Sequence, residues 1–205
     1  MNQDIPSVAV LAFHRVADYD AWKKTFDEHI PDSIEASCIG YHISRGADDP
    51  SMVYVYMPAT DLPKVWEFFQ SPRLGDAMRR ARVEGAATIK LMTPKSADFI
   101  PDQKLAGIIA THAVEDYDRW RAVYDELADF RKQNGIVGDA VNQELDDPNH
   151  VIVYHQANDM DSLRTFVDSD ELKEAMPRAG VIGQPDIQFV CVVDFADYRL
   201  RPQLI

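Results

Sequence analysis

The sequence predicts an α+β chain in which one strand-helix-strand-strand-helix-strand unit is built twice in tandem. Three observations carry this prediction. The segment VADYDAW at Val16–Trp22 recurs as VEDYDRW at Val114–Trp120, a shift of 98 residues, and about a third of roughly 85 pairs aligned at that shift are identical without a gap. Within each copy, apolar runs of strand length alternate with stretches of helical period in the same order. The composition, 205 residues at 46% hydrophobic with 9 Gly and 12 Pro, suits a globular chain that covers its core without disulfides or metals. The expected organisation is a first repeat over residues 1–93, a linker over 94–103 whose surroundings (TPKSADFIPDQ) carry two prolines, a second repeat over 104–193, and a C-terminal tail over 194–205.

The elements follow in order. Val8–Val16, VAVLAFHRV, is apolar on both parities and short, which predicts a strand buried on both faces; LAGIIATHAV is its copy. Asp18 suits a helix N-cap, and Asp20 places a second carboxylate at the positive end of the helix dipole. Tyr19, Trp22 and Phe26, matched by Tyr117, Trp120 and Tyr124, recur at intervals of three and four and form one helical face. Strands at about Cys38–Arg45 and Met52–Met57 flank the turn GADDPS, a hairpin that LDDPNH repeats. Thr60 and Asp61 open a second helix whose Leu62, Val65 and Phe69 face inward, matching Met160, Leu163 and Val167. A third helical segment carries Leu74, Ala77, Met78 and Ala81, copied as Leu172, Ala175, Met176 and Ala179, with Pro177 expected to kink the second copy. Closing strands are expected at about Thr88–Met92 and Asp186–Val190. This order is the ferredoxin-like unit. Its sheet carries both helices on one face, so two such sheets packed face to face would cover the other. The polar parity of Thr88, Lys90, Asp186 and Gln188 fits a partly wet face between them.

Two segments carry a family resemblance: HxVxDYDxW, at His14–Trp22 and His112–Trp120, and SxxLxxAMxxAxV, at Ser71–Val83 and Ser169–Val181. Over almost the whole chain the sequence resembles the dimeric α+β barrel superfamily, which includes the antibiotic-biosynthesis monooxygenase-like proteins. Two protomers usually form that barrel. The resemblance therefore implies that these tandem repeats build it within one chain, as an intrachain dimeric α+β barrel. It implies a fold more than an activity, since the superfamily is known for cofactor-free oxygenases, isomerases and haem-handling enzymes.

The formal charge of −13 would repel phosphate backbones and anionic headgroups, so neither a nucleic acid nor a membrane partner is expected. No apolar run reaches membrane-spanning length, and MNQDIPS lacks a signal-peptide pattern, which makes a cytoplasmic location the expectation. Cys38 and Cys191 form no metal or disulfide motif. No HxH, HxxxH or HExxH spacing occurs, nor any GxGxxG, Walker or GxSxG motif, so neither a metal nor a cofactor is expected. A lone His14 or His112 is the sole candidate for a haem ligand.

His14 and His112, each at the end of a first strand before a capped helix, are the candidate general bases, because imidazole titrates near neutral pH. Trp22 and Trp120 are candidate walls of an apolar ligand cleft, although core packing explains the same pattern. Tyr56 and Tyr154 are candidates for orienting a polar ligand atom, since a buried phenol needs a partner. His155 stands where the first repeat has Met57, so the copies diverge near one pocket, as they do at Trp66 against Arg164 and Arg82 against Gly180. Tyr154 and His155 are neighbours on a strand and point to opposite faces, so one of them is a bystander. Two functions fit: a cofactor-independent monooxygenase or isomerase acting on a small acidic aromatic or enolic compound, or a non-catalytic binding protein for a hydrophobic metabolite. Further association, as a homodimer, is open.

Overall fold

Six side-chain caps set where the helices begin, three in each repeat, and they define the unit. A computed structural model describes residues 6–200. In chain order it contains β1 (Val8–Val16), α1 (Tyr19–Glu28), α2 (Ile30–Glu35), β2 (Gly40–Gly46), β3 (Met52–Ala59), α3 (Leu62–Phe69), α4 (Pro72–Arg80) and β4 (Val83–Asp98). The second repeat gives β5 (Ala106–Val114), α5 (Tyr117–Glu126), α6 (Ala128–Gln133), β6 (Ile136–Glu144), β7 (His150–Ala157), α7 (Met160–Asp168), α8 (Asp170–Arg178) and β8 (Val181–Asp197). A 3-10 turn follows at Tyr198–Leu200. The carboxylates of Asp18, Asp61, Asp116 and Asp159 accept the backbone N–H three residues on, and the hydroxyls of Ser71 and Ser169 do the same for α4 and α8. The fold is the expected α+β architecture of two βαββαβ copies. The short α2 and α6 are additions that sequence periodicity did not reveal, being six residues long and without a side-chain cap bond.

The strands are antiparallel, and their hydrogen-bonded order is β1-β3-β2-β8-β5-β7-β6-β4. Register fixes which side chains share a face. Val10 lies opposite Met57 and Ala12 opposite Val55, whereas Leu11 lies opposite Tyr56 and Phe13 opposite Tyr54. The second repeat reproduces this, with Ile108 opposite His155 and Ile109 opposite Tyr154.

Contacts divide the described chain into two compact units: residues 6–92 together with 193–200, and residues 93–192. In the first, Val10, Ile43, Val53 and Val65 are fully buried beneath α1 and α3, and Ala196 from the end of β8 joins that core. In the second, Ile108, Val141, Val151 and Leu163 play the same part. The closing strands run longer than the sequence suggests. β4 continues through Pro94–Asp98, read above as linker, and β8 through Asp194–Asp197, read as tail. Pro94 and Pro185 suggested breaks, yet proline is compatible with a strand where its missing N–H is not required by a ladder. Residues 201–205 of the expected tail lie outside the described residues. The divergence of Arg82 and Gly180 is a backbone matter: both follow a helix and both take positive φ, 54° and 75°. Trp66 is half exposed on α3 and walls no cavity. Pro177 sits inside α8, which remains one helix over Asp170–Arg178.

Candidate functional site

Each repeat holds a cavity between its helices and its sheet, and each cavity is centred on the repeated histidine. The β1–β4 register slips opposite His14, between Phe13↔Thr88 and Arg15↔Glu84. The β5–β8 register slips in the same way, between Thr111↔Asp186 and Ala113↔Ile182. One residue of the first strand thus faces three of the closing strand, a bulge that frees the histidine from cross-strand packing on that side. Gly85 and Gly183, at φ of 73° and 71°, supply the left-handed turn the bulge requires, which is a physical reason for their identity in the repeat.

The first-repeat cavity has a volume of about 80 Å³ and is walled by His14, Trp22, Phe26, Met57, Phe68 and Met78 among others. The second has about 90 Å³, with His112, Trp120, Tyr124, Arg131, His155 and Phe166 on its walls. Both are smaller than the roughly 150 Å³ that holds benzene, so a one-ring ligand enters only as the wall side chains give way. The aromatic ladder beside the histidine is the same in both. Ring centroids are 5.6 Å apart for His14–Trp22 and 5.7 Å for His112–Trp120, then 5.3 Å for Trp22–Phe26 and 5.0 Å for Trp120–Tyr124.

Both ring nitrogens of His14 and of His112 are buried without a hydrogen-bond partner. Burial lowers each to about 4, with His150 adding to the effect at His112. Both rings are therefore neutral at pH 7. An orphaned buried donor and acceptor in a cavity is costly in the empty protein and is satisfied once a polar ligand enters.

Beyond the ladder the copies part. In the second repeat the Tyr124 hydroxyl lies 3.2 Å from Nε2 of His155, and the two rings stack with 9° between their planes. Arg131 from α6 donates to the Tyr124 carbonyl at 2.5 Å and lays its guanidinium 3.8 Å over the Tyr124 ring. Asp139 on β6 stands 3.5 Å from Nε of Arg131. Burial lowers His155 to about 3, helped by the Arg131 charge and by His112. At a shift of 98 the first repeat has Phe26, Met57, Ser33 and Tyr41 in place of Tyr124, His155, Arg131 and Asp139. Three of these, Tyr124, Arg131 and His155, wall the second-repeat cavity, and Asp139 stands behind them beside Arg131.

The sequence candidates separate accordingly. His14 and Trp22 share the first-repeat cavity; His112, Trp120 and His155 share the second. Tyr56 and Tyr154 wall neither cavity, because their register puts them on the opposite sheet face with Leu11 and Ile109. Tyr154 packs edge-on against Phe99 at 6.4 Å, and burial pushes its phenol up to about 12, partly offset by a hydrogen bond with Gln156. Burial also raises the Tyr56 phenol. Tyr154 is therefore the member of the neighbouring pair that points away from the cavity. Tyr124, Arg131 and Asp139 were not among the sequence candidates. Comparing the two repeats for gains of polarity or charge, rather than for identities, reveals them: Phe26 against Tyr124, Ser33 against Arg131 and Tyr41 against Asp139. Among the described residues no group of three or more His, Cys, Asp or Glu side chains is placed to hold a metal ion.

Solved structures share this architecture. The anthrone oxidase-like protein superposes with a TM-score of 0.70 at 13% identity, over 96% of this chain and 94% of that one. A candidate monooxygenase from Fusobacterium nucleatum gives 0.67 at 9% identity, over 95% and 96%. The chain has the fold of the antibiotic-biosynthesis monooxygenase-like proteins. A ferredoxin-fold protein from Listeria monocytogenes, related to those monooxygenases, matches at 0.57 and 6% identity over 95% of this chain and 99% of that one. At such identities the likeness concerns the fold. No family profile and no curated protein sequence matches the chain. Among the described residues no helix is long and apolar enough to cross a membrane.

Proposed function

We propose that the protein binds a small acidic aromatic or enolic compound and acts on it as a cofactor-independent monooxygenase or isomerase, with His112 as the base in the second-repeat cavity and His14 as its counterpart in the first. The observation that carries this reading is the pair of buried, unpartnered ring nitrogens on an apolar cavity wall. A phenol or enol hydroxyl seated there donates its proton to the neutral imidazole. In the empty protein His112 is a weak base, at about 4. An anion forming beside it raises its proton affinity, because imidazolium and phenolate stabilise each other where water is excluded. The resulting carbanion either takes the proton back at another atom, which is isomerisation, or, at a carbon that carries a second hydrogen, adds dioxygen; that carbon is then oxidised to a carbonyl as the O–O bond breaks, and the second oxygen leaves as water with the two hydrogens the carbon has lost. The names of the structural neighbours add weight to the oxygenase branch.

Solvent deuterium exchange at the acidic carbon of candidate enols and phenols, followed by NMR, tests this directly. His112→Ala is expected to slow exchange by about a hundredfold or more. Unchanged exchange in both His112→Ala and His14→Ala would remove the assignment. The low proton affinity of His112 favours a second reading, that of a binding protein without chemistry. Saturable binding with neither exchange nor oxygen consumption selects that reading.

A further inference from the structure

We propose that Arg131 is a carboxylate-binding residue, so that the second-repeat cavity takes an aromatic carboxylate and the first does not. This rests on the cavity being a ligand site, as proposed above, and adds the ligand's charge. Arg131 is 6% exposed and is the one charged side chain among the described residues walling the cavity, the histidines being neutral. Its hydrogen bonding is incomplete. The guanidinium reaches the Tyr124 carbonyl, but its Nε is buried with no hydrogen-bond partner, and Asp139 approaches that atom only to 3.5 Å. Asp139 also shares its carboxyl with the Tyr124 hydroxyl and is partly open to solvent. A buried guanidinium is expensive to desolvate, and a fork with an unused donor is the geometry a carboxylate completes.

The duplication supplies an internal control. At the matching position Ser33 carries no charge: its hydroxyl donates to the Ile30 carbonyl at 2.7 Å and lies 3.3 Å from the Tyr198 hydroxyl. The first-repeat cavity is otherwise built from the same ladder and has no cation on its described walls. The architecture therefore does not need a charge there; Asp139, which the first repeat lacks, answers the arginine only in part, and a carboxylate entering the second cavity answers the rest. A carboxylate at Arg131 would lie on the same wall as Tyr124, leaving the ligand's ring to extend along Trp120 toward His112.

The test is a titration of the intact protein with benzoate and with benzamide, its neutral counterpart, followed by NMR or calorimetry. The proposal expects benzoate to bind about tenfold or more tighter than benzamide, with one site per chain. Arg131→Gln is expected to abolish the preference while leaving benzamide affinity within about twofold. Should that variant fold poorly, the wild-type comparison stands alone, and Arg131→Lys, which keeps the charge but loses the fork, is expected to retain only part of the preference. Equal affinities of benzoate and benzamide overturn the role of Arg131 and leave the cavity reading intact. Failure of both of these and of phenol to bind overturns the cavity reading as well.

Discussion

At the scale of single residues, four buried histidines shape the acid dependence, the repeated pair together with His42 and His155. His14 and His112 are held at about 4 by burial against an unfolded value of 6.5, and His155 at about 3. The unfolded chain thus binds more protons than the folded one across that interval. Their contribution to stability is complete above about pH 6.5 and is lost as pH falls through about 4, or about 3 for His155, at a cost on the order of 3 kcal/mol for His14 and for His112. Urea midpoints are expected to be flat above pH 7 and to fall between pH 6.5 and 4, with a shallower fall in His14→Phe and in His112→Phe. A slope unchanged in the double variant would show that His14 and His112 do not govern acid unfolding. These histidines were legible from sequence because duplication kept them beside a capped helix. The cluster of Tyr124, Arg131 and Asp139 was not, since its residues are 7 and 8 apart in sequence and meet only where α5, α6 and β6 converge.

Among the elements, the helices were legible in detail and the closing strands only in part. Asp18, Asp61 and Ser71 each announce a helix by a local hydrogen bond three residues long, so nothing distant needs to be known. The extensions of β4 and β8 depend instead on partners far along the chain, and prolines in both strands point the other way. One repeated glycine records this long-range contact. A Cβ on Gly138 would lie 2.7 Å from the Phe99 Cα, 2.9 Å from the Asp98 carbonyl oxygen and 2.8 Å from the Gln156 amide oxygen. Two of these neighbours are backbone, and Gln156 is pinned by both its amide atoms to Ile100. Gly40 meets the backbone of Ala196 and Asp197 in the same way. Gly138→Ala is therefore expected to cost about 2 kcal/mol or more, because backbone must move to admit the methyl group. The shift in denaturant midpoint measures it, and a change under about 0.5 kcal/mol would mean that the 98–100 segment yields freely.

For the molecule as a whole, the sequence period and the packing do not divide the chain at the same places. The period ends a repeat near residue 92 and again near 190, whereas the core of residues 6–92 is completed by 193–200. Within that unit the Tyr41 hydroxyl donates to the Asp194 carboxylate at 3.0 Å, Lys23 pairs with the same carboxylate at 2.8 Å, and the Tyr198 N–H donates to the Ile39 carbonyl at 2.9 Å. Ala196 is 8% exposed among the side chains of Ile43 and Tyr41, while Val193 and Tyr198 pack against the same cluster. A chain ending at Val192 loses all of these at once, which leaves a strand edge and an apolar patch uncovered. Amide hydrogen exchange read by mass spectrometry is expected to show protection lost in α1, β2 and β3 and retained over β5, β6 and β7, whose unit contains none of the deleted residues. Equal loss in both sets would mean that the two units unfold as one cooperative block. Selective loss would mean that each unit unfolds by itself. A fragment cut at the repeat boundary, residues 1–92 alone, would then fail to fold for want of residues 193–200, which lie beyond the second copy in sequence.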